Sequence, residues 1–529
     1  MMKILMNGKV KEINKMRYFK IQILSAILAF HATSLAQVSE WSIKKDHWDI
    51  NDEAQYSRFV QSIGLSACGS VDECMKSAAN FLKEGDRPDY TWKADCGKLP
   101  YVLRAYFSWK NHLPFSYVAQ TQVIEPTATK DERYSDFGST VVSRNDLNQK
   151  SPGPVDFYQE IDRLINTVSS ASMRTNGVGA AVNLQPDFYP VAISRAGIKP
   201  GTNLYDPDGH VAVVYEVTPD GRVLFMDAHP DQSLSRGTYS NKFARSSSGI
   251  GSGFKNFRPL WLSNGKILAL PNEVLTDFSL DQYNSKISGD INYYEYVRRQ
   301  LFSNEKILQI NPISELKEMI KSICVDANNR VQAVNLAQKA GLAFQLHPDR
   351  LPLNIFAATG DWENYATASR DARLKMSYLE LRDKAVEYIS RVKNHDSFMD
   401  YANSKAIKRD MKKSIEKSLR ACTINYKDSN ERDKYIDLVD VMDNLYKMSY
   451  DPFDCVEHRW GSNSTSCRDD NAKVSWYQGQ QIFRFEIGRH PEWKMGQTLE
   501  QLLTVKISDY KLRPGPIDLD VFRAIDDAN

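Results

Sequence analysis

The sequence lacks the features that mark several large classes of protein. No apolar run in its 529 residues approaches the roughly 20 residues that span a bilayer. There is no basic tail and no block of like charge, and the formal net charge is only +2, so nothing indicates nucleic-acid binding. Internal repeats and low-complexity tracts are also lacking, which argues against a repeat protein. We therefore expect a globular protein of about two or three domains.

The first 36 residues have the pattern of an export signal. A basic start precedes the apolar run 21–30, and Ser34 and Ala36 supply small side chains where a signal peptidase reads them. The basic residues are Lys3, Lys9, Lys11, Lys15, Arg17 and Lys20. Initiation at Met16 would leave a compact signal of the same kind. We expect cleavage before Gln37 and a soluble, periplasmic or secreted protein; the alternative, a membrane anchor, needs an apolar run about twice as long.

Seven cysteines are an odd number for a protein expected in an oxidising compartment. Six of them divide into plausible local pairs, namely Cys68 with Cys74, Cys324 with Cys422, and Cys455 with Cys467. The seventh, Cys96, stands in Asp95-Cys96-Gly97-Lys98, directly ahead of a helix pattern. Amide donors and the dipole at a helix start lower the pKa of a thiol, so Cys96 is the candidate nucleophile. The alternative is a buried structural cysteine, against which the polar neighbours argue.

The residues after Cys96 predict a helix with one buried face. Apolar side chains recur with helical spacing at Leu99, Val102, Leu103, Tyr106 and Phe107. Because proline is tolerated only in the first turn of a helix, Pro100 places the helix start near Cys96. Just upstream, Tyr90 or Trp92 could line the site or donate a hydrogen bond to an oxyanion, although such aromatic residues more often belong to the core.

A cysteine nucleophile needs a base, and the base needs a group that orients it. His210 is the candidate base, at the start of a run over residues 209–217 with strong β propensity. The turn signal Pro219-Asp220-Gly221 leads into a second strand, which predicts a hairpin. Asp227 on that second strand is the candidate group that orients His210, with His229 as the alternative.

The register of the hairpin decides which of these side chains meet. One register pairs Val217 with Arg222. His210 then lies opposite His229 and diagonal to Asp227. A register two residues shorter puts His210 directly opposite Asp227. Because side chains alternate between the two faces of a strand, either even-numbered loop puts all three on one face, whereas an odd-numbered loop would separate them.

This constellation resembles the papain-like fold of bacterial cell-wall hydrolases, the NlpC type and its amidase relatives. In those families Asp-Cys heads a helix, Gly-His or a similar pair begins a strand, and a polar residue follows one strand later. Asp95-Cys96, Gly209-His210 and Asp227 match that motif. The likeness covers about residues 80–270 and implies an insertion near residues 120–200. Transglutaminase-like enzymes share the same order of cysteine, histidine and aspartate, so they stay an alternative.

The resemblance implies a thiol-dependent amide hydrolase that needs no cofactor. Cys96 and His210 would form a thiolate–imidazolium pair, and the Cys96 backbone N–H with one further donor would hold the oxyanion. An exported enzyme of this kind would act on peptidoglycan peptides, by hydrolysis or by acyl transfer. We expect no nucleic-acid partner and no stable membrane insertion after signal cleavage.

Two other classes of function fit the same residues. One is a zinc or calcium site, because carboxylates and imidazoles cluster around the hairpin. Its candidate ligands are Asp206, Asp208, His210, Asp227, His229 and Asp231. No helical His-x-x-x-His pair accompanies them, which makes a metal the weaker interpretation. The other is a non-catalytic binding or scaffold protein that retains a degenerate papain-like domain.

The patterning predicts an α+β protein. A papain-like domain, with a helix packed on an antiparallel sheet, precedes a mainly helical region and a small mixed C-terminal segment. After the signal at 1–36, these parts are expected at 37–290, 291–450 and 451–529. Short helices begin the first part, and β-branched runs between turn signals follow. The helical region is expected to act as a scaffold or as a wall facing the substrate.

Overall fold

A computed structural model describes residues 39–124, 132–135, 137–147, 155–175, 181, 184–207, 209–289, 291–303, 308–356, 360–462, 471–487, 496–504 and 516–528. The expected export signal, Asp208 and Cys467 lie outside these residues. The described chain is mixed α+β, as predicted. None of the described helices is both long enough and apolar enough to cross a membrane.

Three helices form the N-terminal part. They are α1 (Ile50–Leu65), α2 (Val71–Lys76) and α3 (Leu99–Lys110). Pro100 occupies the first turn of α3, where its missing N–H has no intrahelical partner to lose. The helix begins three residues after Cys96, so the predicted start is confirmed to within one turn.

Helix α3 is buried on all sides rather than on the single face that its apolar spacing predicts. Every residue from 99 to 109 is buried, because α3 packs against α1, against the central sheet and against the helix that follows at 157–167. Even Arg104 is buried, and its guanidinium donates two hydrogen bonds to Glu53 of α1, at 2.9 and 2.5 Å. The same group lies 3.4 Å from the centre of the Trp48 ring. Pairing and ring contact together compensate the loss of water around this charge.

Besides α1, α2 and α3, four strands and one further α-helix precede the central sheet in the described chain. They are β1 (Glu40–Trp41) paired with β4 (Val155–Asp156), β2 (Ser116–Val123) paired with β3 (Ser139–Asp146), and helix α4 (Phe157–Thr167). Apart from β1 and the start of β2, they fall in the range where the resemblance implies an insertion. Helix α4 packs beside α3, and the residues after it approach Cys96.

The described central sheet has six antiparallel strands. In spatial order they are β5 (Phe188–Pro190), β10 (Gly253–Phe257), β6 (Asn203–Tyr205), β7 (Val211–Val217), β8 (Val223–Ala228) and β9 (Leu234–Thr238). A two-stranded sheet, β11 (Leu260–Ser263) with β12 (Lys266–Ala269), follows. The antiparallel sheet and its β7–β8 hairpin therefore agree with the prediction.

The hairpin reaches its register in a way that the sequence pattern does not reveal. Val217 pairs with Val223, so the loop has an odd number of residues and the predicted even loop is wrong. A β-bulge at Tyr215 then shifts the pairing by one residue, and Val213 pairs with Met226. The extra residue of the bulge cancels the extra residue of the loop.

Continuing the register beyond the bulge places His210 opposite His229 and diagonal to Asp227. This is the first of the two predicted arrangements. The three side chains share one face of the hairpin because two departures from regularity compensate each other.

Helices dominate the region after residue 290. They are α5 (Tyr293–Gln300), α6 (Pro312–Lys339), α7 (Asp361–Tyr365), α8 (Ala368–Lys393), α9 (Ile407–Ala421) and α10 (Leu438–Asn444). One hairpin, β13 (Thr423–Lys427) with β14 (Asp433–Asp437), interrupts them. Apolar side chains of α6 and α8, among them Ile320, Leu374 and Tyr378, form a second core.

The described C-terminal residues form short helices with one isolated bridge, between Arg350 and Thr498, rather than the mixed structure expected. The helices are α11 (Val456–Arg459), α12 (Asn471–Gly479), α13 (Gln481–Phe485), α14 (Leu499–Thr504) and α15 (Val521–Asp527). Val521 and Ile525 of α15 are fully buried in the core of the helical region.

Two disulfides join the cysteines that the local spacing pairs. Cys68 is bonded to Cys74, with Cα atoms 5.2 Å apart, and Cys324 of α6 is bonded to Cys422 after α9, with Cα atoms 6.0 Å apart. Cys455 is also disulfide-bonded. These bonds are consistent with an exported protein that folds in an oxidising environment.

Ion pairs join the helical region to the central sheet. Lys242, beyond β9, contacts Asp326 of α6 at 2.8 Å. Near the β8–β9 turn, Arg370 of α8 contacts Asp231 at 2.6 Å, and both side chains are almost fully buried. These contacts bring α8 alongside the hairpin that carries His210.

Candidate active site

A cavity of about 580 Å³ separates the Cys96 segment and the hairpin from the helical region. Cys96 and His210 both line it, together with His229 and the segment 165–170, which comprises the end of α4 and the residues directly after it. Residues of the helical region between 355 and 373 also line the cavity. The structure therefore brings the predicted nucleophile and the predicted base to one cavity.

The turn that carries Cys96 is held by its neighbour Asp95. The Asp95 carboxylate accepts the Lys98 backbone N–H at 3.0 Å, and its carbonyl accepts the Leu99 N–H at 2.9 Å. Its other carboxylate oxygen pairs with the Lys98 ammonium at 2.6 Å. Asp95 thus acts as the cap of α3, since Lys98 provides no side-chain cap. The half-buried Cys96, which carries a thiol rather than a disulfide, sits on a rigid turn.

Gly97 lets another backbone approach this turn closely. A Cβ atom at position 97 would lie 2.5 Å from the Ser170 nitrogen and 2.9 Å from the Ser169 carbonyl carbon. Only glycine fits without a shift of one of the two backbones. The contact brings Ser169 and Ser170 beside Cys96, and both line the cavity.

His210 is held by a buried carboxylate. Its Nε2 lies 2.7 Å from Asp227 Oδ2, and the other Asp227 oxygen accepts the hydroxyl proton of Ser235. Burial alone would raise the pKa of Asp227, but His229, His210 and Arg373 together bring it well below its usual range. Asp227 is therefore an ionised acceptor that fixes the imidazole of His210.

His229 has a different role from His210. Its Nε2 lies 3.0 Å from the Ser235 hydroxyl oxygen and 3.9 Å from Asp227, outside hydrogen-bond distance. Burial lowers the pKa of His229 to about 3, so its ring is neutral at neutral pH. A neutral His229 can donate to Ser235, which in turn donates to Asp227. Asp227 rather than His229 is therefore the hydrogen-bond acceptor of His210, and His229 supports that carboxylate through Ser235.

The aromatic residues upstream of Cys96 serve other contacts. Tyr90 donates its hydroxyl proton to Asp162 of α4 at 2.8 Å, and Trp92 is buried among aromatic rings. Neither is among the residues that line the cavity. The core interpretation fits their positions better than a role in the site.

The candidate metal ligands around the hairpin do not converge. Among the described residues, no group of three or more histidine, cysteine, aspartate or glutamate side chains is placed to hold a metal ion. Asp227 faces His210 and Ser235, whereas Asp231 faces Arg370 and Ser233. The carboxylates are thus divided among different partners.

Several residues of the site were not predicted from the sequence. Arg370 and Arg373 lie in a charge-laced helix pattern, which is indistinguishable from a solvated face until α8 is packed. Ser235 is an ordinary strand residue, and Ser169 follows a helix as many serines do. For these residues the sequence carries no signal, because contacts with distant segments create their roles.

Comparisons with known proteins add no relative. No protein-family model matches the chain, and neither a curated protein nor a solved structure matches it. The case for a function therefore rests on the geometry of the site.

Proposed function

We propose that the protein is an exported, thiol-dependent amide hydrolase with Cys96 as nucleophile, His210 as base and Asp227 as orienting group. The supporting observation is that Cys96 and His210 line one cavity while a buried carboxylate holds His210 at 2.7 Å. Activation of a thiol requires a base that is itself held in one orientation and tautomer. The pairing of His210 with an ionised Asp227 meets that requirement.

The proposed reaction follows from which ring nitrogen is engaged. Asp227 accepts the Nε2 proton of His210, so Nδ1 takes the proton of the Cys96 thiol. The thiolate attacks the carbonyl carbon of the amide, and His210 then protonates the leaving nitrogen as the C–N bond breaks. Water, giving a proton to His210, cleaves the resulting thioester and restores the thiol. An acceptor amine in place of water would give acyl transfer.

The developing oxyanion needs donors in the cavity wall. The Cys96 backbone N–H is one. Ser169 is our candidate for the second, because it lies next to Gly97 and lines the cavity. Its hydroxyl oxygen accepts the Ala171 N–H at 3.2 Å, so its own proton can point to a substrate oxygen.

Substrate and family belong to the same proposal. We propose a papain-like domain over 37–290 and peptidoglycan peptides as substrates, on the strength of the export signal and the resemblance to NlpC-type hydrolases. A transglutaminase-like acyltransferase is the second candidate, because it would use the same three residues. A periplasmic or secreted location is part of the proposal.

The test is alkylation of the mature protein with iodoacetamide under non-reducing conditions, followed by mass spectrometry of its peptides. We expect label on Cys96 alone, at a rate above that of glutathione at the same pH, with loss of hydrolysis of peptidoglycan peptides. A chelator should leave hydrolysis intact, whereas loss with the chelator alone would favour the metal interpretation. Finding Cys96 in a disulfide would overturn the proposal.

A further inference from the structure

The turn between β8 and β9 contacts the segment that carries Cys96. In this turn the Gln232 side chain accepts the backbone N–H of Ala94 through its Oε1 atom, at 2.9 Å, and Ala94 lies just ahead of Asp95 and Cys96. The turn directly follows β8, the strand that carries Asp227. One side chain therefore joins the segment of the candidate nucleophile to the hairpin of the candidate base.

Both polar atoms of the half-buried Gln232 side chain are engaged. While Oε1 accepts the Ala94 N–H, Nε2 donates to the Pro230 carbonyl oxygen at 2.7 Å. The Gln232 backbone N–H donates to the His229 carbonyl oxygen at 2.8 Å, which closes the turn. His229 and Pro230 belong to the described lining of the cavity, whereas Gln232 does not. Gln232 can therefore influence the reaction by holding other groups in place.

The backbone of Gln232 is strained. Its φ is +67°, in the left-handed region that glycine, asparagine and aspartate adopt far more readily than glutamine. A glycine would take this conformation without strain, but it has no side chain to reach Ala94. Such strain persists where surrounding contacts fix the conformation, as the two side-chain hydrogen bonds of Gln232 do. The strained residue thus provides a contact that the relaxed one would lack.

The start of α2 holds the same turn and the same segment. The Val71 N–H donates to the Gln232 carbonyl oxygen at 3.3 Å, so α2 is fixed to the turn. The Asp72 carboxylate of α2 accepts the Trp92 N–H at 2.9 Å, so α2 is also fixed to the segment that leads to Cys96. Three parts of the chain that are distant in sequence therefore meet around Gln232.

We propose that Gln232 is a positioning residue, which sets the distance between the Cys96 thiol and His210. It does so by holding the segment before Cys96 against the turn after β8. This inference rests on the proposed function, because it concerns the thiolate–imidazolium pair. The attraction between the two charges weakens as they move apart, so a displaced Cys96 forms less thiolate at neutral pH. A displacement of about 1 Å can slow a positioned reaction by about a hundredfold.

The pH profile of Cys96 alkylation by iodoacetamide tests the inference without a known substrate. Gln232→Met keeps the length of the side chain but removes both polar atoms, and Gln232→Gly removes the side chain together with the backbone strain. We expect both variants to react about three- to tenfold more slowly at pH 7, with the midpoint of the profile moved upward. At about pH 9.5 their rates should equal that of the unmodified protein, because a cysteine thiol ionises there without a histidine partner.

Ser233→Ala is the matched control. Ser233 lies in the same turn, but its hydroxyl donates to Asp231 rather than to the segment before Cys96. This variant should keep the pH profile of the unmodified protein. The urea midpoint of unfolding is measured for every variant, and a lowered midpoint with an unchanged pH profile would show that Gln232 supports only the fold. Gln232→Gly guards against a folding defect in Gln232→Met, because glycine relieves the strain of the turn.

Failure of this inference is distinguishable from failure of the proposed function. If Cys96 of the unmodified protein had the pH profile of glutathione, both would be overturned, because no pair with His210 would exist. If the unmodified protein reacted rapidly at pH 7 and both Gln232 variants kept its profile, the function would stand and the role of Gln232 would be overturned. A shift in Gln232→Met alone, or a rate lowered equally at every pH, would also overturn that role, since strain or blocked access would then be the cause.

Discussion

Two buried pairs of histidine and aspartate with almost the same separation lie within the described residues. His210 Nε2 lies 2.7 Å from Asp227 in the central sheet, and His347 Nε2 lies 2.8 Å from Asp451 in the helical region. Their surroundings differ. His210 borders the cavity that contains Cys96, whereas His347 is stacked on Trp476 with ring centroids 4.0 Å apart.

The two pairs also differ in what the second ring nitrogen of the histidine contacts. His347 Nδ1 lies 2.7 Å from the Pro348 carbonyl oxygen, so both nitrogens face acceptors, an arrangement that favours the positively charged form of the ring. Burial opposes this charge, but Asp451 and the carbonyl outweigh it and raise the pKa of His347. A histidine with both nitrogens donating cannot accept a proton from a thiol. A histidine–aspartate contact is thus no sign of catalysis without a cavity and a nucleophile beside it.

The largest expected effect comes from the nucleophile. Cys96→Ser should reduce hydrolysis of peptidoglycan peptides by about a thousandfold or more, because a serine hydroxyl is much harder to deprotonate than a thiol. Product release followed by liquid chromatography measures the rate, and the unfolding midpoint in urea should be unchanged. Unaltered hydrolysis would favour a binding or scaffold protein.

The structural pair should affect stability rather than chemistry. His347→Asn leaves the buried carboxylate of Asp451 without its histidine partner, although Gln480 and the Phe453 N–H still donate to it. We expect a loss of about 3 kcal/mol in the free energy of unfolding, measured in urea. The alkylation rate of Cys96 should stay at its original value. A slower alkylation would show that the two pairs are coupled.

The corresponding substitution of the histidine in the candidate site should slow the reaction of Cys96 and leave stability almost unchanged. His210→Asn removes the base but can still donate a hydrogen bond to Asp227, so we expect little change in stability. The iodoacetamide rate of Cys96 at pH 7 should fall about ten- to hundredfold, since the thiol loses the partner that takes its proton. The pH profile of alkylation should shift upward. An unchanged profile would remove His210 from the mechanism.

The smallest expected effect is on the pH dependence of the free energy of unfolding, to which His229 and His347 contribute with opposite signs. Burial lowers the pKa of His229 from 6.5 to about 3, so its contribution to stability is complete above pH 6.5 and lost as pH falls. At pH 5 that loss amounts to about 2 kcal/mol, and His229→Gln should abolish it. The raised pKa of His347 works the other way: its contribution is complete below pH 6.5 and lost as pH rises through the folded-state pKa. Urea unfolding at pH 7.5 and pH 5 measures both contributions. If the free energy of unfolding changed equally between these pH values in His229→Gln and in the unmodified protein, the lowered pKa of His229 would be contradicted.

Local signals were enough for several parts of the site. Pro100 and the apolar spacing after it indicated where α3 begins, and the β-branched run after His210 indicated a strand. The short spacing between Cys68 and Cys74 predicted their disulfide. Because the other cysteines also divide into pairs, Cys96 was left over. These features depend on neighbours along the chain, so the sequence records them directly.

Other parts depend on segments that are distant in sequence. The bulge at Tyr215 compensates the odd loop of the hairpin, and no periodicity rule anticipates two irregularities that cancel. Arg373 looks like one more charge on a solvated helix until α8 packs beside the hairpin. His347 and Asp451 are 104 residues apart, and nothing near either one indicates the other.

The sequence by itself determined that one cysteine of seven stands at the head of a buried helix and that a histidine begins a strand of a hairpin. Tertiary structure alone decided that the two line one cavity, that Asp227 contacts His210, and that a distant helix contributes Arg370 and Arg373 to the cavity wall. The physical reason is the distance along the chain over which each kind of interaction acts. Helix and strand signals act over a few residues, whereas a cavity and its electric field arise only when remote surfaces pack together.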